Sequence, residues 1–284
     1  MKIKKNNKVL IFITAAAIFL LLSVIISNNH IEIKRYHYAD DVSDTVSIVL
    51  ISDLHGNSFG KGNQQLLNKI RDIHPDIICL AGDFIDEDNT PKDNAEFIEF
   101  LEKLTDINPV YYSYGNHDLG YFRENGFTLL DDIRKTGCTI LEEEYVDIDI
   151  KYKHIRLGGM YDYAFNQQYL SGEEWMQDPT YIFLEEFSDT DRTKILMCHR
   201  PESFIYEDAS AWNIDYVLAG HTHGGIWRLP FVGGFIAPEQ GLFPEYDKGE
   251  FDINNIKMII SSGLSGYKKI PRMFNNPEIT VIEI

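Results

Sequence analysis

The 284-residue chain sets 26 Lys+Arg against 44 Asp+Glu, a formal net charge of −18, which argues against a general nucleic-acid binder. Hydrophobic residues at 44% with only 10 prolines and 20 glycines exclude disorder and collagen-like repeats, because so apolar a chain can bury a full core. No internal repeat and no Pro/Ser/Gly-rich linker interrupts the body, which reads as one large domain.

Residues 1–8 form a basic tail with four lysines. Residues 9–27 (VLIFITAAAIFLLLSVIIS) carry no charge, and about 20 apolar residues in a helix cross a bilayer core of ~30 Å. A cleaved signal peptide would have an apolar region of ~7–15 residues and a small-x-small cleavage site. This run is longer and ends Val-Ile-Ile-Ser-Asn-Asn, so an uncleaved transmembrane anchor is expected. The lysines before it place the N-terminus in the cytoplasm and the body outside the cell membrane. Residues 28–44 then read as a juxtamembrane linker and 45–284 as the folded domain.

Within that domain, short β-rich apolar runs at 45–51, 76–81 and 110–114 alternate with helical patterns near 62–73 and 93–104, a βαβαβ order. Further strands are expected at 145–150, 154–158, 194–198, 216–219, 257–261 and 278–284, with 160–192 as loop and helix. So many strands suit two packed sheets flanked by helices better than one small doubly wound sheet. Cys79, Cys138 and Cys198 are an odd set for a disulfide framework. They read as structural thiols, with a bridge between one pair as the alternative.

Polar clusters stand where five of these strands end: Asp53-Leu54-His55, Gly82-Asp83, Gly115-Asn116-His117-Asp118, His199-Arg200 and Gly220-His221-Thr222-His223. Ligands bind outside the carboxyl ends of strands in α/β sheets, so the five can converge on one site. Carboxylates, an amide oxygen and imidazoles suit Mn, Fe or Zn, and manganese leads among them here; a Cys-rich structural zinc site is excluded. Asp83 is placed to bridge two ions ~3.5–4 Å apart. Gly82, Gly115 and Gly220 precede the ligands at corners where a missing Cβ permits tight turns.

Asp-x-His, Gly-Asp, Gly-Asn-His-Asp, a lone His and Gly-His-x-His, in that order between Ser52 and His223, resemble the calcineurin-like metallophosphoesterase superfamily. The anchor and the closing segment 262–279 are similar to its membrane-anchored bacterial phosphodiesterase branch. The resemblance implies an α/β (α+β) fold, a four-layer αββα sandwich with two mixed β-sheets, and a dinuclear centre at the sheet edge. It implies that Asp53, His55, Asp83 and His223 hold one divalent ion and that Asp83, Asn116, His199 and His221 hold the other. His117 would then steady the transition state or protonate the leaving oxygen, with Asp118 as its orienter. The implied reaction is direct hydrolysis of a phosphodiester, pyrophosphate or monoester by a metal-activated hydroxide.

Rival chemistries lack their marks, since neither a Gly-x-Ser-x-Gly elbow nor His-Glu-x-x-His is present. A catalytically silent anchored module that binds an envelope partner is the alternative from another class. Some relatives cleave the pyrophosphate of a UDP-diacylglucosamine, and an anchor suits a lipid-linked phosphate ester as substrate. Arg200 and Arg272 are the expected substrate-binding residues, because guanidinium groups hold phosphate oxygens bidentately. The aromatic run 161–165 is read as core or rim. Oligomeric state is open from the sequence.

Overall fold

The computed structural model describes residues 2–39, 44–160, 178–205, 212–267 and 270–284. A long helix α1 (Lys2–Asn29) comes first, and its stretch Asn7–Asn29 is long and apolar enough to cross a membrane. The strands follow in chain order as β1 (Glu32–His37), β2 (Ser47–Ile51), β3 (Ile77–Ala81), β4 (Val110–Ser113), β5 (Thr139–Ile140), β6 (Glu144–Ile150), β7 (Lys153–Gly159), β8 (Thr193–Met197), β9 (Tyr216–Ala219), β10 (Arg228–Leu229), β11 (Gly233–Gly234), β12 (Ile236–Ala237), β13 (Gly241–Leu242), β14 (Gly249–Ile253), β15 (Ile256–Ile260) and β16 (Glu278–Glu283). Between them lie α2 (Gln64–Ile73), α3 (Pro91–Thr105), α4 (Asn116–Asn125), α5 (Thr128–Lys135), α6 (Pro179–Ser188) and the short α7 (Glu202–Ile205).

Two six-stranded mixed sheets result, ordered β1-β16-β2-β3-β4-β5 and β14-β15-β9-β8-β7-β6, and β10–β11 and β12–β13 make two small hairpins. Successive side chains of a strand face opposite ways, and the chain uses both faces. From β2, Val49 and Ile51 pack with Leu66 and Ile70 of α2 and Phe100 and Leu104 of α3. Its alternate residues Ile48 and Leu50 pack against Leu157, Met197 and Leu218 of the second sheet. On the far side Leu196, Val217 and Met258 meet Phe183 and Phe187 of α6. The layers are therefore helix, sheet, sheet, helix, as the sequence pattern predicts. Burial on both faces explains why these strands read as unbroken apolar runs.

Residues 32–37, expected to be linker, are instead β1, an edge strand paired in parallel with β16 from Glu32 opposite Glu278 to His37 opposite Glu283. Its side chains are mostly exposed, so it has no apolar alternation to betray it, and its place comes from backbone pairing with a buried neighbour. All three cysteines are buried thiols outside any disulfide. The aromatic run 161–165 lies outside the described residues.

Candidate metal centre

The sheets place β2, β3, β4, β8 and β9 with their carboxyl ends at one edge, and the ligand-type residues come off these ends. The corners are tight. Asp53, His55, Asp83, His221 and His223 all hold positive φ, between 47° and 68°, a conformation that costs non-glycine residues about 1–3 kcal/mol each and clusters at functional sites. Gly82 turns at φ +84°, and a Cβ there would fall 2.6 Å from both the Gly115 nitrogen and His199 Nδ1. At Gly220 a Cβ would meet Asp53 Oδ2 at 2.6 Å. Both glycines are set by close approach of neighbouring ligand loops.

Three groups of side chains bring their ligand atoms within 4.8 Å of one another: Asp53, His55 and His223; His55, Asp83 and His117; and Asp83, His199 and His221. Asp53 and Asp83 are 0% and 1% exposed. Among the described residues their ion-pair partners are all histidines: His199 Nε2 lies 3.0 Å from Asp83 Oδ2 and His55 Nε2 3.7 Å, while His223 Nε2 lies 3.8 Å from Asp53 Oδ1. Buried carboxylates that no Lys or Arg touches, with only the longer-range field of buried Arg272 acting on Asp53, suit a nearby cation. His55 Nε2 is buried without a hydrogen-bond partner, and His199 Nε2 has only the Asp83 carboxylate at 3.0 Å, the state of imidazoles aimed at a shared metal position.

The outer nitrogens fix those rings. His199 Nδ1 donates to the Ala81 carbonyl at 2.6 Å, His223 Nδ1 to the Ser265 carbonyl at 3.2 Å, and His55 Nδ1 to Asp86 Oδ1 at 2.6 Å. An Nδ1–H held by an acceptor leaves Nε2 as the ligand atom. His221 differs, since its Nε2 is 3.0 Å from Glu239 Oε2. Asn116 opens α4, and its Oδ1 accepts from Arg200 Nε at 3.4 Å. Arg200 also pairs with Glu239 at 3.4 Å, which holds it at the rim of the cluster.

The electrostatics match a cation site. Burial disfavours a charged ring at His55, but the Asp86 hydrogen bond and the Asp83 charge raise it to about 9. Burial likewise opposes charge on His199, yet Asp83 and Asp53 raise it to about 10. At His223 burial prevails and lowers the ring to about 3. Without ions, the carboxylates thus draw protons onto two imidazoles, at the positions where positive charge is wanted.

Two expectations need correction. Asp118 does not touch the His117 ring. It accepts backbone N–H groups from Asp83, Phe84, Ile85 and Gly115 at 2.6–3.0 Å, so it clamps the Asp83 loop to the start of α4. The ring is oriented by Glu87, whose Oε2 lies 2.8 Å from His117 Nδ1. Arg272 does not reach the cleft. It is 0% exposed, with Nε donating to the Ser265 carbonyl at 2.7 Å, Nη2 to the carbonyls of Ser262 and Ser265, and Nη1 to Ser262 Oγ at 3.3 Å and the Asn276 carbonyl at 3.5 Å. A guanidinium satisfied by these oxygens has no donors left for a phosphate. Sequence reasoning missed Asp86, Glu87, Glu239 and Ser265. The first two stand just after Gly82-Asp83, the one sign that they attend the same corner.

The sequence profile described as calcineurin-like phosphoesterase matches residues 46–225. The uncharacterised metallophosphoesterase YkoQ of Bacillus subtilis is 26% identical, over 84% of this chain and 83% of its own. The uncharacterised metallophosphoesterase Cj0846 of Campylobacter jejuni is 30% identical over 84% of this chain, which spans 59% of that protein. Phosphodiesterase YaeI of Escherichia coli is 24% identical, over 88% of this chain and 86% of its own.

Proposed function

The chain belongs to the calcineurin-like phosphoesterase family, and on that premise we propose that this metal-dependent phosphohydrolase cleaves a phosphodiester or pyrophosphate bond in a lipid-linked substrate. One observation carries the reading of the centre: Asp53, His55 and His223 form one ligand group, Asp83, His199 and His221 another, and Asp83 reaches both through its contacts with His55 and His199. Asp53, His55, Asp83 and His223 would hold one divalent ion and Asp83, Asn116, His199 and His221 the other, with manganese the expected metal. When bound, such ions supply Lewis-acid polarisation of the phosphoryl oxygens and a water of lowered pKa.

The chain's own residues do the rest. His117 stands against His55, ring centroids 4.9 Å apart, and Glu87 holds its Nδ1. Its Nε2 is then the atom that holds or gives a proton at an ester oxygen. Arg200, at the rim, is placed to bind an oxygen of the same phosphate or its neighbour. The apolar α1 supports a single-pass anchor with the basic tail in the cytoplasm and the domain outside, and a domain kept at a membrane favours a substrate that resides there.

Hydrolysis of bis-p-nitrophenyl phosphate tests the enzymatic reading. Turnover is expected to vanish with EDTA and return with Mn²⁺. A chain that stays flat at every metal concentration would be the silent binding module, and the proposal would fall.

A further inference from the structure

The C-terminal half of α1 is not free of the domain. Ser27 is 2% and Ser23 8% exposed, while the apolar side chains around them are largely exposed. These two lie on one face at i and i+4, and Asn28 follows Ser27 at the end of the helix. They accept backbone N–H groups from the 272–275 segment: Arg272 to Asn28 Oδ1, Phe274 to Ser23 Oγ and Asn275 to Ser27 Oγ, each at 3.1 Å. Asn28 Nδ2 in turn donates to the Arg272 carbonyl at 2.9 Å. Deeper along the helix the Phe19 ring meets the Phe274 ring at 5.5 Å. Phe19 lies ten residues before Asn29, about 15 Å at 1.5 Å per residue, or half of a ~30 Å hydrocarbon layer.

A domain in contact with its anchor at that depth cannot sit wholly in water. Its surface next to α1 agrees. Among the described residues, of the large apolar side chains exposed outside α1, all but Ile33, Phe127, Tyr152 and Ile182 lie between 227 and 270. Phe231 is 109% exposed, Val232 and Leu242 60%, and Phe243 56%. The patch is continuous with the helix. Phe274 shares a cavity with Phe231 and Val232, Trp227 Nε1 donates to the Pro271 carbonyl at 2.9 Å, and Trp227 stacks on Phe235, which meets Phe243. Irregular backbone at membrane depth must have its N–H groups satisfied by protein, and Ser23, Ser27 and Asn28 do this for Phe274, Asn275 and Arg272.

We propose that the 227–243 hairpins and the 270–274 segment are seated in the lipid leaflet around the C-terminal half of α1, so that the domain rides partly immersed. This rests on α1 spanning the bilayer. The lipid is favoured over a protein partner because the patch continues the surface of a helix whose own setting is lipid, and because a Trp with its N–H satisfied suits the membrane interface. One consequence concerns the metal centre. A cavity of about 360 Å³ is lined by Asn28 at the end of α1, by Ile270 and Pro271 of the patch, and by the ligand-type His55 with Asp86. The cleft therefore opens where the domain meets the bilayer surface.

The test uses the full chain in phosphatidylcholine/phosphatidylglycerol vesicles, with an environment-sensitive NBD label on Phe231→Cys and, as control, on Tyr152→Cys in the turn between β6 and β7. The native cysteines are buried and both sites are exposed, so neither change disturbs folding. Expected is a label at 231 quenched several-fold more by bromine-bearing lipid chains than by aqueous iodide, and the reverse at 152. A label at 231 as open to iodide as that at 152, in a chain that resists alkaline carbonate extraction, overturns the immersion while leaving the anchor. A label shielded from both quenchers means a protein partner and also overturns it. Release of the wild-type chain by carbonate overturns the anchor reading itself, and the immersion with it.

Discussion

His117 and Asp83 are neighbours in the cluster but should fail in different ways when changed. His117→Asn removes a ring held by Glu87; although it forms a cluster with His55 and Asp83, it lies outside both proposed ligand sets, so metal content should stay near normal while kcat falls by about 10²–10⁴-fold, the range of general acid catalysis. Asp83→Asn removes the carboxylate proposed to serve both ions and should lose metal. Metal analysis beside steady-state kinetics separates the two, and loss of metal in both variants would mean that His117 is a ligand. The same residues set a pH dependence for the metal-free protein. His55 and His199 are raised to about 9 and 10, so their stabilisation is complete below the unfolded value of ~6.5 and is lost as the pH rises through 9–10. His223, lowered to about 3, acts in the opposite sense: its contribution is present above ~6.5 and is lost as the pH falls toward 3. Thermal unfolding of the chelated chain should show a maximum near pH 6–7, and the alkaline fall should shrink with Mn²⁺. A chelated midpoint that rises from pH 7 to 10 would contradict this. The ligand-type residues were legible because each follows a buried strand within a few positions. Asp86 and Glu87 carry no such pattern, and Glu239 and Ser265 arrive from elsewhere in the chain, so only the fold reveals them.

At the scale of elements, the 262–275 stretch is the part whose role changes most between sequence and structure. Arg272 looked like a phosphate ligand because a basic residue in a closing loop is the obvious one to choose; burial converts it into a brace. Its guanidinium holds the Ser265 carbonyl, which also accepts from His223 Nδ1. Arg272→Ala should therefore lower stability by about 3 kcal/mol or more, since several carbonyls lose a charged donor, and should impair a small chromogenic diester and a pyrophosphate-linked lipid equally. A selective loss on the lipid with an unchanged melting temperature would restore Arg272 as a specificity residue. Strands buried on both faces, such as β2, β3 and β9, were plain in the sequence as short apolar runs. The two-residue strands β10 to β13 show no period at all, β1 is polar, and α4 begins inside the Asn-His-Asp motif, whose polar residues hide the helix.

For the whole molecule, the count of strands was enough to call two sheets and four layers, but their order was not, because pairing between distant segments leaves no trace in local periodicity. The first sheet shows why. β16 lies between β1 and β2, parallel to one and antiparallel to the other, and Glu32 stands opposite Glu278. β2 in turn leads directly into Asp53. Contacts this far apart in sequence form late, after a large loss of chain entropy. Biosynthesis is thus divided in two: a nascent chain arrested before residue 278 should remain protease-sensitive and hold no metal, and one arrested on an added C-terminal linker, with all 284 residues clear of the ribosome, should become resistant. Resistance at the earlier arrest point would show that the sheet closes without its final strand. On the proposed topology, ions would be captured only in the compartment where residues 278–283 have arrived, and a half-exported chain would be inert on both sides of the membrane.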